Sequence, residues 1–282
     1  MKKWILTICA LFAGIGLLAQ GNVTTRKYRL ADFTDKITQV VLTGNEVLSS
    51  ALRQEVVSGW TASAFEFCTL EQFEKLKTSD NFYFLIAAET RFKDEDNPGI
   101  TFLTLVKGGP EATEGIGAMH EVISLPLQAA MGGDGRELTY LGSLVSAVQT
   151  FTLAAMESEK VAYSRDAWFR QNYEKWGKMK QIYMAREDIV ESMQEQEIEK
   201  FLDPDWHVCT AEESDRQYLD GAYHVLTSYV VAPVIPSKGS YCYKMLFEAD
   251  THTLFYISRH KITEKKGVGF LPEDLKYLAR KR

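Results

Sequence analysis

Apolar runs of strand character alternate with helical apolar stripes along this chain, and the alternation occurs twice. Ile37 to Leu42 (ITQVVL) is a β-branched run bounded by Thr43, Gly44 and Asn45, the pattern of a short buried strand. Asn45 is placed to cap a helix from Glu46 to about Gly59, in which Val47, Leu48, Ala51, Leu52 and Val56 form an apolar stripe of roughly 3.6-residue period. Phe65 to Thr69 reads as a strand, with Thr69 capping a short helix from Leu70 to Lys77. Phe82 to Arg91 (FYFLIAAETR) is apolar on both pleat faces, as in a strand inside a covered sheet. The turn Asp94 to Gly99, in which Pro98 fixes φ, returns it antiparallel through Ile100 to Val106. His120 to Leu127 predicts a further strand ended by Pro126. A long helix from about Glu137 to Glu157 is apolar around much of its circumference, which places it between layers or lobes.

The stretch FEFCTLEQFEKLKTSDNFYFL, Phe65 to Leu85, has a counterpart 141 residues later in WHVCTAEESDRQYLDGAYHVL, Trp206 to Leu226. Around it the same plan is expected again: a strand Lys180 to Ala185, a helix Ile189 to Leu202, a strand Trp206 to Thr210 and a helix Ala211 to Leu219. The strands Ala222 to Val231, Tyr241 to Glu248 and Leu254 to His260 follow, then a closing helix Pro272 to Arg280. Aligned without a gap, Glu46 with Glu187, Cys68 with Cys209, Thr69 with Thr210, Glu71 with Glu212 and Leu85 with Leu226 are identical. The expected fold class is therefore α/β (α+β): a tandem duplication of a strand-helix-strand-helix-strand-strand-strand-helix lobe with mixed sheets. The boundaries are a leader at 1–19, a lead-in at 20–36, a first lobe at 37–158, an aromatic helical bridge at 159–178 and a second lobe at 179–282.

That element order, carried by ITQVVL, FEFCT and FYFLIAAE, resembles the periplasmic domains similar to the amino-terminal domain of TolB and to related outer-membrane assembly lipoproteins. The likeness is at fold level and contains no signature residue. It implies a protein-binding module and transfers no site residue.

Composition changes the picture mainly in its first residues. Lys2 and Lys3 precede an apolar run from Trp4 to Ala19, followed by Gln20, Gly21 and Asn22, the layout of a cleavable secretory signal peptide. Cleavage after Ala19 is expected, although Leu17 is larger than the residue usual three positions before the cut. Retention as an anchor is the alternative, the run being short of the roughly 20 residues a span needs. Cys9 lies inside the run rather than after it, so no lipid anchor is expected, and no later stretch reads as a membrane span. Loss of Lys2 and Lys3 lowers the 32 basic residues to 30 against 38 acidic, a net charge of −8, which argues against a nucleic-acid partner. Cys68, Cys209 and Cys242 are too few for a disulfide framework. Free buried thiols are the expectation, and one bridge the alternative.

Candidate chemistry is sparse. The five histidines, His120, His207, His224, His252 and His260, share no helical spacing. His207 and Cys209 lie on one pleat face, and His224 would join them if its strand lay next to theirs, giving a His, His, Cys metal site as the one candidate. Asp94 to Gly99 opens like a calcium loop but has Leu105 where the closing glutamate should stand, so a hairpin turn is expected instead. GGPEATEGIG, Gly108 to Gly117, and GGDG, Gly132 to Gly135, lack the Lys-Ser/Thr pair of a phosphate loop and read as connectors. Glu191, Glu195 and Glu199 at i, i+4 spacing mark a solvated helix face. Basic residues near the carboxyl terminus, Lys265, Lys266, Arg280, Lys281 and Arg282, suit the dipole of the closing helix, or else an acidic partner. No nucleophile with a base in reach is visible, and no cofactor is expected. These readings point to an exported periplasmic interaction or scaffold protein with an envelope protein partner. The alternative is a small-molecule-binding protein or hydrolase with its site in the inter-lobe cleft.

Overall fold

The computed structural model describes residues 30–201 and 205–279. The leader, the first part of the lead-in and the last three residues, on which the export and basic-tail readings rest, lie outside the described residues. In the first half the strands are β1 (Ile37–Leu42), β2 (Phe65–Thr69), β3 (Phe82–Thr90), β4 (Ile100–Lys107) and β5 (His120–Ala129). The helices of that half are α1 (Glu46–Gly59), α2 (Leu70–Leu76) and α3 (Arg136–Glu157). Short helices α4 (Glu159–Ala162) and α5 (Arg165–Trp176) lead to β6 (Gln181–Ala185), α6 (Glu195–Ile198), β7 (Trp206–Cys209) and α7 (Ala211–Leu219). The chain closes with β8 (Val225–Val231), β9 (Tyr241–Glu248), β10 (Leu254–Lys261) and α8 (Pro272–Leu278).

The fold is mixed α/β in two lobes, each built on a five-stranded sheet. The orders are β2-β1-β3-β4-β5 and, from the matching edge, β7-β6-β8-β9-β10. In each sheet the first three strands run parallel, and the last two are added by antiparallel pairing, so that the fourth alone runs in the opposite sense. Strand order and sense therefore agree between the halves, but the ungapped alignment does not survive. Thr38 lies opposite Phe65 and Tyr83, whereas Ile182 lies opposite Trp206 and Leu226. Leu226 thus takes the place of Tyr83 rather than Leu85, because the path from Trp206 to Leu226 through α7 is two residues longer than that from Phe65 to Tyr83 through α2.

The expected helix Ile189 to Leu202 is where the second half departs. Ile189 forms a strand-like bridge with Phe270. The Val190 amide donates to the Phe270 carbonyl and the Phe270 amide to the Asp188 carbonyl. That extended backbone cannot begin a helix, so only the four-residue α6 remains, and Glu191 lies outside it. In the first half Asn45 accepts from the Leu48 amide at 3.0 Å and α1 runs its full expected length. Its stripe is Leu48, Leu52 and Val56, while Val47 points to solvent. Pro126 does not end β5. It sits in an edge strand beside a register shift, where its missing N–H breaks no regular ladder.

The Thr69 cap forms as expected, and Thr210 caps the matching helix of the second half in the same way. Thr69 accepts from the Gln72 amide at 3.2 Å while the Gln72 side chain accepts from the Thr69 amide at 2.8 Å. Thr210 accepts from the Glu213 amide at 3.2 Å. Replacing Thr69 by alanine is expected to cost about 1 kcal/mol, read as a lower urea midpoint at unchanged m-value.

The lobes stack in the same direction rather than face to face. One continuous core joins the α1/α3 face of the first sheet to the α7 face of the second. The first sheet's other face is closed by α2 and the 3₁₀ turns Pro110–Glu114 and Ile116–Ala118 around Phe73, Phe84 and Met119. The second sheet's outer face is closed by α8 and the segment from Ile189 to Ile198. Leu30 and Phe33 are buried in the shared core, so the end of the lead-in belongs to the first lobe. The bridge helix α5 lies on β10, with Phe169 buried against Phe151 and the Asn172 side chain donating to the Leu254 carbonyl at 3.0 Å.

Among the described residues one helix, α3, is long and apolar enough to cross a membrane, contrary to the expectation of no later span by composition. Its apolar surface is used between the lobes instead. Tyr140 stacks on Tyr229 at 4.7 Å and on Phe247 at 5.2 Å, and Ser143 Oγ lies 2.5 Å from the Tyr218 hydroxyl. Phe102 meets Tyr243 at 5.4 Å edge-on, and Phe92 meets Tyr241 at 4.8 Å. Near this seam the Asp94–Gly99 turn interlocks with the loop after β8. A Cβ on Gly99 would lie 2.6 Å from the Pro233 side chain, and Asp94 pairs with Lys261 at 3.0 Å.

Candidate functional site: the inter-lobe cleft

Beside the packed seam the two lobes leave a cavity of about 670 Å³. Its first-lobe wall comes from Thr90 at the end of β3, Phe92, Phe102 of β4, Glu121 to Ser124 of β5 and Phe151 of α3. The α4–α5 junction, Ala162 to Ala167, forms a second side, and Tyr243 and Arg259 from β9 and β10 form the third. The junction is held by the first lobe, because Arg165 Nη1 donates to the Ser124 carbonyl. Arg165 also places Nε and Nη2 at 2.7 Å from Asp166 Oδ1, so this ion pair is closed on itself. Arg259 is different. It donates from Nη1 to the Tyr243 hydroxyl at 3.2 Å and lies 5.2 Å from the centre of the Tyr241 ring. Burial pushes the Glu121 carboxyl up, against the pull of Arg165 and a hydrogen bond from Ser124. The lining therefore combines aromatic walls, one closed ion pair, one carboxyl whose pKa burial raises and one exposed guanidinium.

A second constellation, centred on Arg136, spans the lobes. Gly135, at φ +96°, turns the chain into α3 and sets Arg136 against the second lobe. Arg136 Nη1 donates to Asp188 at 2.9 Å, Nε and Nη2 each donate to Asp215 at 2.9 Å, and Nη2 also reaches the Ser228 carbonyl at 2.9 Å. Ser228 Oγ donates to Asp188 at 2.6 Å while accepting from the Ala185 amide at 2.9 Å, and the Tyr140 hydroxyl donates to Asp215 at 2.8 Å. Burial works against the charge on Arg136, but Asp188 and Asp215 outweigh it and raise its pKa. A group so fully matched is a structural latch rather than a reactive site. Nothing in the sequence marked it, since Asp188 and Asp215 stand in no motif and lie far from Arg136 along the chain.

The metal candidate does not assemble. His207 and Cys209 are on β7 and His224 precedes β8, and β6 lies between those strands. His207 stacks on Tyr183 at 4.6 Å, and His224 meets the Lys180 ammonium at 3.1 Å from a left-handed φ of 60°. Among the described residues no group of three histidine, cysteine or carboxylate side chains is placed to hold a metal ion.

Comparison of the chain with protein-family models, with curated proteins and with solved structures gives no match.

The thiols of Cys68, Cys209 and Cys242 are free. Burial pushes each up to about 11 from 9.0, so near neutral pH they are thiols rather than nucleophilic thiolates. None of the three lines the cavity, and neither does any histidine. Ser124 Oγ is engaged with Thr104 Oγ1 at 2.9 Å, and Ser164 Oγ donates to the Lys160 carbonyl. The cleft presents aromatic surface, a cation and hydroxyls.

Proposed function

We propose that the protein is an exported, non-catalytic binding protein that holds a small molecule in the cleft between its two lobes. The observation that carries this reading is the cavity itself. At about 670 Å³ with walls from both lobes, it falls within the roughly 300–1,000 Å³ of small-molecule sites. It contains no nucleophile with a base in reach, which supports binding without turnover. Export rests on Lys2, Lys3 and the apolar run to Ala19, and a periplasmic location follows from that reading. Aromatic packing along the seam supports a rigid site over one that closes by large lobe motion.

A second reading, an envelope scaffold that docks a protein partner, is favoured by exposed apolar side chains. Trp176, Met179, Tyr223, Val234 and Ile235 are each more than half exposed, and the likeness of each half to TolB-type domains points the same way.

The chain from Gln20 onward, purified from the periplasm, separates the two. A thermal-shift screen against a broad metabolite library is expected to find compounds that raise the melting temperature by several degrees. About 2.7 kcal/mol is gained at a hundredfold excess over Kd. Such compounds should survive incubation unchanged by mass spectrometry. A library without a stabilising compound, together with a stoichiometric envelope protein recovered by cross-linking, overturns the cleft reading in favour of the scaffold. Conversion of the bound compound overturns the non-catalytic part.

A further inference from the structure

We propose that the inter-lobe cleft selects a small monocarboxylate with an apolar body, held through its carboxylate by Arg259; this rests on the binding reading above. The charge balance of the lining sets the ligand's charge. Asp166 is neutralised by Arg165 at 2.7 Å, whereas Arg259 has no carboxylate within ion-pair distance among the described residues. With no carboxylate meeting it directly, Arg259 is the lining group with donors free to take one negative charge.

The geometry of that cation sets the ligand's chemical group. Arg259 commits only Nη1, to the Tyr243 hydroxyl at 3.2 Å, and its plane is supported by the Tyr241 ring 5.2 Å away. The remaining N–H groups of the planar fork are available to a two-oxygen acceptor, the arrangement guanidinium makes with carboxylates. A dianionic phosphate would bring a second charge towards Asp166 and Glu121, which share the lining, and like charges at close range disfavour it. Burial of Glu121, which favours its neutral form, weakens that penalty without supplying a second cation. The other walls, from Phe102 and Phe151, offer apolar surface to the rest of the molecule.

Isothermal titration of the mature protein tests this with acetate, isovalerate, phenylacetate and indole-3-acetate, each beside its own amide, and with inorganic phosphate. At least one acid with an apolar body is expected to bind and its amide to bind far more weakly. R259Q should weaken the acid about 10- to 100-fold and leave the amide unchanged, and R259K should recover part of the loss. Arg259 is exposed, so an unchanged melting temperature shows that R259Q is folded. Amides that bind as well as acids, indifferent to R259Q, overturn the carboxylate assignment and leave the binding reading standing. Phosphate binding ahead of every acid, and lost in R259Q, replaces the monocarboxylate with a phosphate ligand. Failure of acids, amides and phosphate alike overturns both the assignment and, with an empty library screen, the cleft reading.

Discussion

Replacement of Arg136 by methionine is expected to destabilise the protein by about 3–5 kcal/mol at neutral pH, the cost of leaving a buried charge without its partner. Methionine fills most of the volume, so the loss isolates the guanidinium. Asp188 is buried and keeps Ser228 Oγ at 2.6 Å, but it loses both of its Arg136 contacts, at 2.9 and 3.3 Å. Asp215 is more accessible and keeps the Tyr140 hydroxyl at 2.8 Å. Burial already pushes the Asp188 carboxyl up against the opposing pull of Arg136, so removing Arg136 raises it further. A carboxyl whose folded pKa lies above its unfolded value destabilises least where both states are protonated and most above the folded pKa. The deficit of R136M should therefore shrink as pH falls from 7 towards 4, and urea titrations at several pH values would show it. A deficit below about 1 kcal/mol, or one independent of pH, would mean that Asp188 is not held by Arg136. Since the latch joins α3 to the second lobe, the same variant should speed amide exchange at the seam before either sheet interior.

The second large effect is expected at the outer face of the second sheet. Lys244 and Asp274 are both buried and meet at 2.5 Å, and Asp274 also accepts from the Leu271 amide at 2.9 Å and the Tyr256 hydroxyl at 3.1 Å. K244M alone should cost about 3–5 kcal/mol, because a buried carboxylate with its hydrogen bonds intact loses the cation that meets it. D274N in the K244M background removes the charge and keeps most acceptor geometry, so it should recover about 2 kcal/mol of that loss. The double-mutant cycle is the decisive measurement: costs that simply add would show that the pair is not coupled. The contrast with exposed pairs such as Lys75 with Glu71, which water screens and which contribute little, follows from desolvation alone.

Local rules were sufficient wherever a few neighbouring residues fix the outcome. Asn45, Thr69 and Thr210 cap the helices their sequences predict, because a capping side chain and its amide partner are three residues apart. The strands FEFCT and WHVC and the hairpin β3–β4 follow from apolar runs bounded by turn residues. The second-half helix failed for a nonlocal reason: Phe270 holds the backbone at Asp188 and Val190 extended. The metal candidate failed for the same kind of reason, since the insertion of β6 between β7 and β8 cannot be read from the spacing of His207, Cys209 and His224.

The cleft was anticipated only as a place. Its residues, Glu121, Arg165, Asp166, Tyr243 and Arg259, come from separate elements, and none stands in a motif. Arg165 and Asp166 look like an ordinary helix start, and Arg259 like a polar residue near the end of an edge strand. A clue lay in Tyr241, Tyr243 and Arg259, which would face one another once β9 and β10 were paired in register.

The sequence by itself determined the α/β class, the twofold succession of elements and the capped helix starts, because periodicity and capping act over a few residues. Only the tertiary structure decided how the lobes stack, which acidic residues are buried, and that one arginine beside a cavity has no carboxylate in ion-pair contact among the described residues. Those outcomes depend on side chains that are distant in sequence meeting in a low-dielectric interior, where each charge must find a partner that no local pattern names.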